Sequence, residues 1–192
     1  MVITEREEAA NGRLTDLIIQ ARQGDNAAWE LLVRQHQEAA FRLAYLIVGD
    51  AAEAEEAAQD AFVRAYLSLD QFDTERPFRP WLLAIVANLA RNRRRSWGRY
   101  WGMIQRWWQA KEATPENIPQ DEADLLWQAV QKLRPAAQEI IYLRYFLELS
   151  EAETADTLQI RPGTVKSRLH RALQQLRAII ETDFAELAED RK

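Results

Sequence analysis

In the C-terminal third of the sequence, Lys166, Ser167, His170, Arg171 and Gln174 flank or oppose an inner stripe of Val165, Leu169, Leu173, Leu176 and Ile180 that repeats at the helical period. Arginine and lysine read guanine edges, glutamine reads adenine, and serine serves bases or phosphates, so the set suits the major groove of duplex DNA. A solvated basic face on an ordinary helix has the same composition. The preceding chain favours the groove. Ser150 with Glu153 forms a capping box that opens a helix ending at Leu158, and after a turn at Gln159 and Ile160, Pro162 opens the basic helix, expected to run to about Ala188. A short helix, a tight turn and a basic helix make a helix-turn-helix.

A second set lies near the middle of the chain, where Asn88, Arg91, Asn92, Arg95 and Arg99 recur at i, i+3, i+4, i+7 and i+11, off the apolar stripe of their helix. The arginines can neutralise phosphates and the asparagines can hydrogen-bond base edges. A third set is acidic. Glu53, Glu56 and Asp60 follow i, i+3, i+7 on one helix face, and Glu56 with Asp60 is a like-charge i, i+4 pair costing a few tenths of a kcal/mol unless a partner offsets it. The helix dipole accounts for Asp50 and Glu53 but not for Asp60, three turns in, which leaves a solvated face or a docking surface. Finally, Trp97, Tyr100, Trp101, Trp107 and Trp108 crowd together, able to stack on bases or to form an apolar patch against the second domain or a partner.

Composition bounds the elements that must carry these sets. The 192 residues are 47% hydrophobic and 29% charged, with only six glycines and six prolines, which points to an all-α protein with short joints. With no cysteine, disulfides, thiolate chemistry and zinc ribbons are excluded. Glycine-rich phosphate loops and HExxH are lacking too, and the two histidines are far apart, so no enzymatic activity, cofactor or metal is expected. The start, MVITEREEAANGR, is unlike a signal peptide and no apolar run approaches a membrane span; no membrane insertion and a cytoplasmic location are expected. The net charge of −5 hides blocks. Residues 78–111 hold eight bases and no acid, residues 112–131 five acids and no base, and residues 157–180 five bases and no acid. Two basic surfaces separated by an acidic stretch suit two contacts with one polyanion or its assembly.

Periodicity places the elements. Leu14 to Arg22 reads as a short helix; Asp25 caps a long one with the stripe Trp29, Leu32, Val33, His36, Ala40, Leu43 and Ile47, stopped by Gly49. Asp50 and Glu53 make a capping-box-like start for the next helix, buried along Ala54, Ala57, Ala61, Phe62, Ala65 and Leu69. After a loop over 69–76, Pro77 opens a fourth helix with Phe78, Trp81, Leu82, Ile85 and Leu89 inward. Periodicity fails over about 101–121, a polar and acidic stretch with two prolines, and resumes at Leu125. The expected organisation is a tail over 1–13, a helical domain over 14–100, a linker over 101–121 and a helix-turn-helix domain over 122–188.

Residues 134–177, and above all GTVKSRLHRAL at 163–173, resemble the DNA-binding domain of the extracytoplasmic-function sigma factors. EAEEAAQDAFVRAYLSLDQFD at 53–73 and FRPWLLAIVANLARNRRR at 78–95 resemble the same family's polymerase-binding and promoter-melting domain. The resemblance implies a protein that binds core RNA polymerase and directs it to promoter DNA. It implies that Arg161, Thr164, Lys166, Ser167, Arg168, His170, Arg171 and Gln174 contact the upstream element. Phe72, Asp73, Asn88, Arg91, Asn92, Arg94 and Arg95 would hold the melted downstream element, an extruded base entering between this ridge and the loop Asp70 to Thr74. Asp50, Glu53, Glu56, Gln59 and Asp60 would bind a coiled coil of the polymerase, and an anti-sigma factor is a possible further partner. The sequence departs from the family at Thr154 and Thr157 (usually isoleucine), at Gln159 (usually glycine) and at His36, where an aromatic such as tyrosine is common; His36 is expected to be a satisfied core histidine. The rivals are a two-domain helix-turn-helix regulator that never joins polymerase, which has no need of the acidic helix, and a protein-interaction adaptor, which has no need of the two basic surfaces.

Overall fold

The computed structural model describes residues 2–108 and 122–184, with side chains described over 12–94 and 124–184. The chain divides into two compact units, residues 1–95 and 96–192, each considered by itself. No helix among the described residues is long and apolar enough to cross a membrane.

Local capping builds the first unit. Helix α1 (Val2–Arg22) ends at Gly24, whose φ of 89° is the left-handed conformation glycine adopts without steric cost. Asp25 then caps α2 (Asn26–Val48), its carboxylate accepting from the Ala27 and Ala28 N–H groups at 2.8 and 3.3 Å. Gly49, at φ 83°, ends α2, and Asp50 caps α3 (Ala51–Leu67) by accepting from Glu53 N–H at 2.9 Å. The expected box is one-sided, because the Glu53 carboxylate turns to Arg93 instead. A 3-10 turn (Leu69–Gln71) leads to α4 (Phe78–Trp108). α2 packs on α1 and α3, and Ile18, Ala21, Ala28, Leu32, Ala65, Leu69, Phe72, Phe78 and Leu82 form one buried cluster.

Two expected boundaries fall differently. α1 begins at Val2 rather than Leu14, and α4 continues to Trp108 rather than fading near residue 101. In both cases a lost apolar stripe stood in for a lost helix. Once nucleated, a helix can propagate without a buried face, and interior glycines such as Gly12, Gly98 and Gly102 cost only about 1 kcal/mol each. The backbone of residues 97–108 is thus helical; the side chains of the aromatic cluster lie outside the described residues, as do Arg95, Arg99 and residues 109–121 of the expected linker.

In the second unit, α5 (Glu122–Gln131) is followed by α6 (Pro135–Ile141), which passes into one π-helical turn (Tyr142–Phe146). Buried Gln138 donates to the last carbonyls of α5, Val130 and Gln131, at 3.3 and 2.8 Å. Ser150 and Glu153 make the full reciprocal capping box of α7 (Glu151–Leu158), and Pro162 opens α8 (Pro162–Asp183), which ends at Asp183 with Phe184 as its cap. α8 packs on α5, α6 and α7. Its buried positions are Val165 and Ala172, with Leu169 and Leu176 partly covered; Leu173, expected inward, is exposed. Ala172, an i, i+7 step from Val165, lies only about 20° round a straight helix from it, whereas Leu173 at i+8 lies about 80° away, so Ala172 takes the central place.

Candidate nucleic-acid and partner interfaces

The turn between α7 and α8 fixes the presentation of the basic helix. Gln159 closes α7 at φ 54°, ψ 45°, a left-handed conformation costing a non-glycine residue about 1 kcal/mol, and its Nε2 donates to Asp156 O at 2.6 Å. The two threonines differ. Thr157 Oγ1 donates to Glu153 O at 2.8 Å, whereas Thr154 Oγ1, fully buried, has no hydrogen-bond partner among the described residues. With Val165 at 0% exposure, Lys166, Ser167, Arg168, His170, Arg171 and Gln174 are all exposed, Arg161 is the exposed N-cap residue and Thr164 is half-buried. Ser167, Arg171 and Gln174 share a face, where Arg171 Nε donates to Ser167 O at 3.0 Å, while Lys166 Nζ is 3.7 Å from Glu151.

In the first unit Asn88 and Asn92 are exposed one turn apart on α4, with Arg91 and Arg94 half-buried beside them and Arg91 Nε donating to Ala87 O at 3.0 Å. Asp73 is exposed, its Oδ1 accepting from Glu75 N–H at 3.0 Å. Phe72 lies inside the fold. It is 5% exposed, wedged 4.6 Å from the Trp81 ring centroid and 5.6 Å from that of Phe78, with no free face for a base. It anchors the loop from within. An aromatic beside a turn suits either role by type, and burial is decided by helices distant in sequence.

The acidic face has an internal partner that the sequence reading missed. Arg93 of α4 donates to Glu53 and Glu56 through Nη1 at 2.9 and 2.7 Å, and to Asp60 through Nη2 at 2.7 Å. Burial opposes the Arg93 charge, but the three carboxylates outweigh it and hold the group above the ordinary arginine value. Arg93 therefore offsets the Glu56–Asp60 repulsion, and these acids need no external partner to be explained. Asp50 and Gln59 are exposed on the same helix, Gln59 donating to Glu55 at 3.2 Å. Beyond Asp60 the same face continues into Val63 and Leu67, 59% and 76% exposed. Positions 53, 56, 60, 63 and 67 alternate steps of three and four, the a/d spacing of a coiled-coil seam. That spacing was present in the sequence.

His36 is also corrected. It packs against Phe78 at 5.2 Å, but its buried Nε2 has no partner among the described residues, so it is a core histidine without being a satisfied one there. Burial, and secondarily the nearby Arg79 charge, lower it from 6.5 to about 4.

Two family models match the chain, Sigma-70 region 2 over residues 32–100 and Sigma-70, region 4 over residues 123–176. The ECF RNA polymerase sigma factor SigW of Bacillus subtilis is 32% identical over 178 residues, with 83% of this chain and 92% of SigW covered. The ECF RNA polymerase sigma factor SigE of Mycolicibacterium smegmatis is 35% identical over 176 residues, covering 86% of this chain and 68% of SigE. Among solved structures, CnrH in complex with the cytosolic domain of CnrY matches with a TM-score of 0.68 at 27% identity, over 89% of this chain and 99% of CnrH. RpoE of Bartonella quintana, solved with the anti-sigma factor NepR, shares the fold with a TM-score of 0.57 at 21% identity, over 80% of this chain and 97% of RpoE.

Proposed function

Because this chain belongs to the extracytoplasmic-function sigma factors of RNA polymerase, we propose that it acts in the cytoplasm, joining core polymerase through α3, reading the upstream promoter element with α8 and holding the melted downstream strand at α4. The domain over 14–100 carries the first and third tasks and that over 122–188 the second. The observation that carries the reading is the α3 stripe. Arg93 accounts for Glu53, Glu56 and Asp60 within the fold, but no contact among the described residues accounts for exposed Val63 and Leu67 continuing their spacing. A regulator that never joined polymerase would have no use for that stripe. Asp50 and Gln59 flank the docking face, and Asn88, Arg91, Asn92, Arg94 and Arg95, with Asp73 at the loop, form the downstream contact; Phe72 supports it from inside. An anti-sigma factor is a further partner in this reading, since two structures of similar fold were solved as complexes.

With a net charge of −5, the free protein is expected to bind duplex promoter DNA weakly and to gain site specificity only with core polymerase. In vitro transcription with purified core enzyme and a genomic fragment library tests this. Discrete start sites that appear only when both proteins are present support it. Tight site-specific footprints by the free protein, with no association with core, would establish the regulator instead.

A further inference from the structure

Arg22, the last residue of α1, donates through Nε to Leu69 O at 2.8 Å and through Nη2 to Phe72 O. These carbonyls lie 47 and 50 residues away, at the start of the 3-10 turn and at its C-cap. Leu69 O also accepts from Phe72 N–H at 3.1 Å, so the Arg22 fork grips the turn at both ends. The origin of the grip is rigid: Ile18 and Ala21, just before Arg22, share a buried cluster with Leu69, Phe72 and Phe78. From Phe72 the chain passes directly to exposed Asp73 and half-buried Thr74 and so to α4. α1 lies wholly before residue 32, where the match to Sigma-70 region 2 begins.

We infer that Arg22 is a positioning residue for downstream-element capture: by holding Leu69 O and Phe72 O together it sets the path of residues 73–74, and so the shape of the cleft that accepts the unpaired base. This rests on the reading that the loop receives such a base. The planar guanidinium is suited to the task because it satisfies two separated carbonyls at once in a fixed fork, whereas a lysine offers one point donor. The role is indirect, since Arg22 acts on the loop through two backbone carbonyls.

The test uses holoenzyme assembled from core polymerase with wild type, Arg22→Gln or Arg22→Lys. Opening on a duplex promoter is followed by permanganate. Binding of single-stranded non-template oligonucleotides is measured with each of the four bases in turn at the captured position, and melting temperature and core affinity are measured in parallel. The expected result is unchanged core affinity and unchanged upstream footprint, with the preference among the four bases reduced about tenfold in Arg22→Gln and in part in Arg22→Lys, the scale of one net hydrogen bond. A purely structural role lowers binding of all four oligonucleotides by one factor and leaves their ratios unchanged, and that result overturns the inference. Full retention of the ratios by Arg22→Lys overturns the two-carbonyl argument, even if Arg22→Gln fails to fold. If wild-type holoenzyme shows no preference among the four bases, the loop-capture reading itself falls, and Arg22 with it.

Discussion

The two units spend their charged side chains differently. In the first, polar contacts cross the fold: Arg22 reaches carbonyls 47 and 50 residues on, and Arg93 reaches back 33 to 40 residues to three carboxylates. In the second, most are local. The capping box spans three residues, Gln159 bonds Asp156, Arg171 bonds Ser167 and Arg177 pairs with Glu181, with Lys132–Asp183 at 2.8 Å and Lys166–Glu151 at 3.7 Å as longer-range exceptions. In the first unit, therefore, charge organises backbone and helix faces, and a charge there is evidence of a partner only once its internal contacts are subtracted. On α8 the short-range bonds to its own helix are weak and exposed, so its cations remain available to a ligand.

That contrast is most exposed to failure on α3. Glu56→Lys with Asp60→Lys should weaken core association by about 2–5 kcal/mol, the range for charges desolvated in an interface. Because these reversals also repel Arg93, Val63→Glu with Leu67→Glu is the sharper pair, leaving the internal contacts intact. Measured by competition for core, both pairs should be defective; a defect confined to the first, together with a lowered melting temperature, would make the acidic face a fold element and nothing more.

Division of labour between α8 and α4 comes next. Arg171→Ala should cost about 1–3 kcal/mol and relax preference at one position of the upstream element, with little effect on opening. Asn88→Ala should leave duplex recognition nearly intact and reduce permanganate reactivity of unpaired thymines. A premelted bubble template should rescue Asn88→Ala alone. Were the bubble to rescue neither variant, α4 would be a plain phosphate contact.

His36 tests how the first unit tolerates an unpaired polar group. Its folded value of about 4 lies below the unfolded 6.5, so the unfolded chain takes up the proton first as pH falls. The stabilisation is complete above about pH 6.5 and is lost between there and about pH 4, on the order of 3 kcal/mol. Urea midpoints of wild type and His36→Phe should therefore diverge on acidification, the variant falling less. Parallel curves over that window would show the imidazole to be solvated.

The smallest effect separates the two threonines of α7. Thr154→Val removes an unpartnered buried hydroxyl and should stabilise the second unit by about 1 kcal/mol. Thr157→Val removes a made bond and should be neutral or mildly destabilising. Equal shifts in thermal midpoint would mean that Thr154 Oγ1 has a partner in solution.

What could be read from the sequence alone was whatever short-range chemistry dictates. Asp25, Asp50 and Ser150 cap their helices because the acceptor and the orphan N–H lie within three residues, and Gly49 and Gln159 close theirs through their own φ. The outward set on α8 followed from the inner stripe by geometry, apart from the exchange of Leu173 for Ala172. Only the tertiary structure decided which helix supplies Arg93 to the acidic face, that Phe72 belongs to the core rather than the surface, and that Arg22 bonds to carbonyls 47 and 50 residues away. Each depends on which helices pack together, and packing is chosen by burial summed over the whole unit, a quantity no single segment contains.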